Sequence, residues 1–350
     1  MRQDRPRPRC TAEEGAGRLS RARALARNTV FSAVGEVSNG LLFLLGFLAA
    51  RLLGPSAFGQ YHTAFSFVGL FRILPDFGMA YASTLAISRD RTVATRLTGS
   101  LIGFQGLLSA ATIALCLGIG SIQYDGVTWL AVIVLTADLV LKSLKGTLRW
   151  VLKALERFGA EAVSLVAERV LLLALGYFVL KAGHGVVGFV LAFLVVRAID
   201  TTALYAWVHA RVLPLLPRAE PAVWWDLLKK GLPFAYAGAM ITLIFQVDAV
   251  ILEKLRGARE VGYYGAPVLV LTGLTLVPRI LGYAVIPTMA ALHGREPEKI
   301  AELYGRGLKY LLVAGLPVAA FGLLESDRFM ALLFGPGYGP SAAASRVLLP

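Results

Sequence analysis

Long apolar runs constrain this chain more than any other feature. Residues 28–50, 98–120, 161–180 and 186–208 each approach or exceed the roughly 20 residues a helix needs to cross a bilayer. Composition agrees: 57% of the residues are hydrophobic and the mean hydropathy is +0.66, well above the 45–50% apolar content typical of soluble domains. At 350 residues, length alone would accommodate two or three soluble domains, but the apolar runs override that reading. The expected fold class is all-α, a polytopic membrane helix bundle of about nine to ten transmembrane helices. Nine spans are expected near 28–50, 61–87, 98–120, 127–148, 161–180, 186–209, 231–252, 261–291 and 308–324. The eighth carries Pro267, Pro278 and Pro287 and is expected to be kinked or broken, and Pro75 predicts a milder kink in the second.

The formal net charge of +13 arrives as short clusters between apolar runs rather than as one basic face, which argues against a nucleic-acid partner. With the N-terminus inside, the inner segments 1–27, 88–97, 142–157, 210–230 and 293–309 hold 24 lysines and arginines, against 6 in the outer loops. That bias predicts a cytoplasmic N-terminus in a plasma (inner) membrane protein. Residues 1–27 carry eight arginines and no apolar core, so no cleavable signal peptide is expected; the tail fixes topology and can touch anionic lipid headgroups. Cys10 lies in this tail and Cys116 in an apolar run, so neither a disulfide nor a metal site is expected. The four histidines, at or near span ends, read as interfacial residues.

Two stretches repeat. Leu52, Gly54, Phe58, Gly59 and Tyr61 are echoed by Leu255, Gly257, Val261, Gly262 and Tyr264, every pair 203 residues apart, and Pro75 and Pro278 keep the same offset. A repeat unit of six spans places both copies in the same orientation, a parallel repeat. The expected organisation is a basic cytoplasmic tail (1–27), a six-helix lobe (28–209), an interfacial linker (210–230) and a second lobe (231–350). The linker is broken by Pro214, Pro217 and Pro221, with Trp224, Trp225, Lys229 and Lys230 following as interfacial anchors. The second copy stops after about three spans, so the sequence reads as truncated or as a fragment.

ARLLGPSAFGQY (50–61) and LFRILPDFGMAYAS (70–83) resemble the start of the polysaccharide-biosynthesis or oligosaccharide flippase family, within the multidrug, oligosaccharidyl-lipid and polysaccharide exporter superfamily. DAVILEKLRGAREVGYY (248–264) resembles the opening of that family's second half, and LLFGPGYGPSAAASRVL (332–348) its ninth-to-tenth-span junction. The resemblance covers about 28–350. It implies two lobes forming a V, alternating access, and a cargo of polyprenyl-(pyro)phosphate-linked oligosaccharide moved for envelope polysaccharide synthesis. Cofactors are not implied.

Charge inside a span is costly and faces the bundle interior or a wet cavity. Arg72, Arg169, Arg197 and Arg279 lie within spans, and arginine's planar fork suits phosphate oxygens. These four are the candidate substrate-binding residues, with Arg169 and Arg279 at mid-span. Helical spacing pairs Arg72 with Asp76, Arg197 with Asp200 and Asp138 with Lys142, the last near the inner surface. Glu36, Asp76 and Asp248 are candidate ion- or proton-coupling residues. Three alternatives stand beside the flippase reading. A cation-coupled multidrug exporter predicts a cavity dominated by acids and aromatics. A membrane-embedded glycosyl or phosphoglycosyl transferase requires a carboxylate constellation at a membrane face, which this sequence does not display, so no enzymatic activity is expected. The last is a nonfunctional truncated product.

Overall fold

The computed structural model describes residues 34–349 except 36, 277, 279, 280, 283, 284, 286, 287, 290, 291, 293 and 295. Its architecture is all-α. The helices are α1 (Gly40–Leu70), α2 (Met79–Arg89), α3 (Ala94–Gln123), α4 (Gly126–Ala154), α5 (Phe158–Lys181), α6 (Gly185–Arg211), α7 (Pro221–Arg256), α8 (Ala258–Leu274), α9 (Pro297–Leu324), α10 (Ser326–Phe334) and α11 (Ser341–Leu348). Among the described residues, seven helices are long and apolar enough to cross a membrane, making this a multi-pass membrane protein.

The expected first and second spans meet inside α1. The helix breaks at Gly54, whose φ of 75° and ψ of 170° lie where an L side chain is strained, and Pro55 starts the next segment. The corner between α7 and α8 has nearly the same backbone: Gly257 sits at φ 83°, ψ 169°. The repeated phrase therefore encodes a repeated corner. Its glycine supplies a conformation that few other residues tolerate.

Pro75 does more than kink its span. Residues 71–78 form successive turns, with Phe77 and Gly78 at positive φ, and α2 begins only at Met79. Asp76 Oδ1 accepts the Ala80 amide at 3.0 Å and so caps α2. The break expected in the eighth span falls at Thr275, where α8 ends. The linker is a docked strap. Leu213 and Leu215 are buried, the Arg218 amide bonds the Gly99 carbonyl at 3.0 Å, and Trp224 stacks on Phe104. Gly99 and Gly103 leave room on α3 for the strap's backbone. The interfacial turn and the seventh span are one continuous helix, α7.

Helices α4, α5 and α6 pack beside α1, and their shared interior holds both apolar clusters and a charged one. The segment 142–157, read from sequence as an inner loop, is mostly helix. Lys142, Lys145 and Arg149 lie on α4, and Lys145 is only 2% exposed.

Candidate functional site

Asp138, Lys142, Lys145, Arg149 and Lys153 recur along α4 every three or four residues, the spacing that puts them on one face. Opposite them, α5 contributes Glu161, Ser164, Glu168 and Arg169, and α6 contributes Arg197 and Asp200. Glu168 is completely buried and lies at the centre. It pairs with Lys145, with Arg149 Nη2 at 3.0 Å, with Arg169 Nη1 at 3.1 Å and with Arg197 Nη1 at 2.7 Å. Arg197 Nε reaches Asp138 Oδ1 at 2.5 Å. Asp200 accepts from Ser164 at 3.1 Å and lies 3.1 Å from Lys145 and 3.8 Å from Arg149. Four cations thus share three carboxylates in a water-poor interior. Such a network is sustained only when nearly every group has a partner.

This corrects three expected pairings. Arg197 and Asp200 share a helix but bond to different neighbours, because other helices offer closer partners. Arg72 does not pair with Asp76 either. The turns at 71–78 destroy the helical spacing, and Arg72 Nη2 instead donates to Thr242 Oγ1 on α7 at 3.3 Å. Asp138, expected to pair with Lys142, goes to Arg197. His62, read as interfacial, is one of the residues at which α1 meets α8, against Gly265.

Beside the network opens a small cleft of about 50 Å³, continuous with solvent and lined by Arg72 and Gly69 of the α1 end, Asp138 and Lys142 of α4, and Gln246 of α7. Arg72 and Lys142 are solvent-accessible there. Among the described residues Lys142 has no ion pair within 4.0 Å and no hydrogen bond, and Arg72 has only Thr242. Lys142 lies within electrostatic range of Arg72, Arg169 and Arg197, with Asp138 the acid in range. Three of the arginines singled out from sequence are therefore brought into one neighbourhood. Arg169 and Arg197 face inward onto Glu168, and Arg169 Nε also bonds Asn39 at 3.3 Å. Arg279 and Glu36 lie outside the described residues. Asp248 on α7 accepts the Tyr264 hydroxyl from α8.

Sequence reasoning named Lys142 only as a partner for Asp138, and missed Lys145, Arg149 and the central role of Glu168. The signal was present in the spacing from Asp138 to Lys153. Counting 142–157 as an inner segment set these residues apart from the bundle interior and hid it. Among the described residues, no group of three or more His, Cys, Asp or Glu side chains is placed to hold a metal.

A family model for polysaccharide biosynthesis proteins matches residues 25–293, more than three quarters of the chain. The chain belongs to the polysaccharide biosynthesis protein family. This family member is 25% identical over 345 residues to a putative O-antigen transporter of Shigella flexneri, covering 90% of this chain and 78% of that one. In fold it is similar to an inward-facing multidrug resistance MATE family transporter of the MOP superfamily, with a TM-score of 0.67, 18% identity, and 90% and 79% of the two chains covered. A MATE protein in a straight conformation gives a TM-score of 0.61 at 19% identity, covering 92% and 77%. The family member thus shares its fold with those multidrug transporters.

Proposed function

We propose that this transporter moves a lipid-linked oligosaccharide across the plasma membrane, with the cleft beside α4 receiving its phosphate or pyrophosphate. One observation carries the reading: Arg72 and Lys142 line the cleft, and neither has a carboxylate partner among the described residues. Unbalanced cations in a membrane-enclosed cleft favour an anionic cargo, and arginine binds phosphate oxygens bidentately. Arg169 and Arg197 sit behind, adding to the positive potential while Glu168 holds them. The family assignment and the O-antigen relative support a saccharide cargo. The two lobes would rock about the cleft, with residues 28–209 forming the first and 231–350 the second, the N-terminus in the cytoplasm. Asp248, held by Tyr264 between α7 and α8, is the acid we propose for coupling to an ion gradient.

A second reading is a cation-coupled multidrug exporter. It is supported by fold likeness to multidrug transporters, at under 20% identity. The two readings predict opposite cargo charge. Purified protein in vesicles would be tested for translocation of a polyprenyl-pyrophosphate-linked saccharide and, separately, for efflux of a cationic dye. The flippase reading expects the first activity, lost in the Arg72→Ala/Lys142→Ala double variant. Dye efflux without lipid movement would replace it by the exporter reading.

A further inference from the structure

The two glycine phrases do more than turn corners, because they meet. A Cβ on Gly59 would overlap the carbonyl oxygen of Ala258, and a Cβ on Gly262 would overlap the carbonyl oxygen of Pro55. The four positions form two pairs offset by 203 residues, Pro55 with Ala258 and Gly59 with Gly262, so each contact is the mirror of the other across a local two-fold. The contact is backbone on backbone. One turn further, His62 of α1 packs against Gly265 of α8. Beneath it lie Phe58, Ala49 and Ala266, all essentially inaccessible to solvent.

The chemistry of this seam differs from that of the lobe interior. No salt bridge joins residues 55–62 to 258–265 among the described residues. The buried ion network lies wholly within α4, α5 and α6. A seam held by close van der Waals contact separates without stripping any charge of its partner, and re-forms without desolvating one. It is also self-complementary, so a small rotation about the local two-fold parts both glycine contacts together.

We propose that Gly59 and Gly262 form a reciprocal clasp that closes the outer face of the transporter and parts when that face opens. The inference concerns the protein's motion and stands whichever cargo is carried. Gly59 and Gly262 are required because any side chain there holds the two corners apart.

The test is labelling by a membrane-impermeant maleimide, added outside cells, of a chain whose native cysteines are replaced by serine and whose only thiol is Ala266→Cys. Adding Gly59→Ala or Gly262→Ala should raise the labelling rate by about tenfold or more, since overpacking by one methyl group biases the equilibrium toward separation. Gly106→Ala and Gly118→Ala, where a Cβ meets open space, should leave it unchanged. A second reporter, Val132→Cys, buried against Gly120 of α3 toward the outer end of the first bundle, must stay unlabelled, which separates opening from unfolding. Equal labelling of parent and both clasp variants would overturn the proposal. Should the clasp variants unfold, the glycines are kept and a His62→Cys/Gly265→Cys pair is oxidised mildly. A Cβ on Gly265 would lie 3.1 Å from His62 Cγ, so the closed seam brings the two positions into contact. A bond that forms and protects Ala266→Cys from outside reagent supports the clasp. Failure to form it, or labelling despite it, overturns the clasp.

Discussion

Replacing Glu168 by glutamine removes the hub of the charged interior while nearly keeping its shape. The consequence follows from its four partners. Lys145 and Arg149 retain Asp200, and Arg197 retains Asp138 at 2.5 Å. Among the described residues Arg169 retains no carboxylate, only the Asn39 side chain at 3.3 Å. One buried guanidinium is therefore left uncompensated, and three others lose their shared counter-charge. Breaking a buried ion pair by removing one member costs about 3–5 kcal/mol. At a few degrees per kcal/mol, that corresponds to a fall of roughly 10 °C in melting temperature. Melting of detergent-purified protein, followed by a thiol-reactive or intrinsic fluorescence signal, measures it. Because Arg169 is the orphaned cation, Glu168→Gln/Arg169→Gln should recover part of the loss, and Arg169→Gln alone should cost less than Glu168→Gln. A Glu168→Gln protein melting within about 2 °C of the parent would refute the reasoning, since it would mean the four cations need no central carboxylate.

Four further outcomes follow from the same geometry. Lys142→Ala should leave the melting temperature nearly unchanged, because among the described residues Lys142 has no ion pair to lose, while weakening anionic headgroup binding about ten- to hundredfold, the worth of one charge-assisted hydrogen bond. Tyr264→Phe strips Asp248 of its hydroxyl donor and should destabilise by roughly 1.5–3 kcal/mol, measurable by chemical denaturation in detergent. Asp90, in the exposed turn before α3, is held below the usual carboxylate range by the Thr92 hydroxyl and amide. Its contribution is present above the unfolded value near pH 4 and is lost as pH falls through the folded one, so Asp90→Asn should lower stability at pH 7 and not at pH 2. The proposed topology expects a cysteine at Lys229 to be labelled only from the cytoplasmic side and one at Arg51 only from outside.

The apolar runs made the helical membrane fold legible, because span length is set by the bilayer and leaves a direct trace in composition. The repeated glycine phrase was legible as a repeat. That its two copies touch was not, since contact between distant segments has no sequence period. Arg72, Arg169 and Arg197 were found because an arginine within an apolar run stands out. The roles of Lys142, Lys145 and Arg149 were not, because counting 142–157 as an inner segment read the charged end of a span as part of a loop. The helical pairings failed for a physical reason. Spacing along one helix reports which groups share a face, and in a packed bundle that face is covered by other helices, whose Glu168 and Asp138 lie nearer than any partner on the same helix. Asp76 failed differently: Pro75 stops the helix, so the spacing that paired it with Arg72 does not exist. The charge count for orientation included three residues that lie inside the bundle, and the inner excess survives their removal.

The most direct test of the central claim, that the cleft is built for an anionic lipid headgroup, is native mass spectrometry of the purified chain. It would be presented with a polyprenyl-pyrophosphate-linked saccharide, a zwitterionic phospholipid and a cationic drug, beside the Arg72→Ala/Lys142→Ala variant. Preferential retention of the pyrophosphate lipid by the parent, lost in the variant, is the expected result. Equal retention of all three, or preference for the drug, would contradict it.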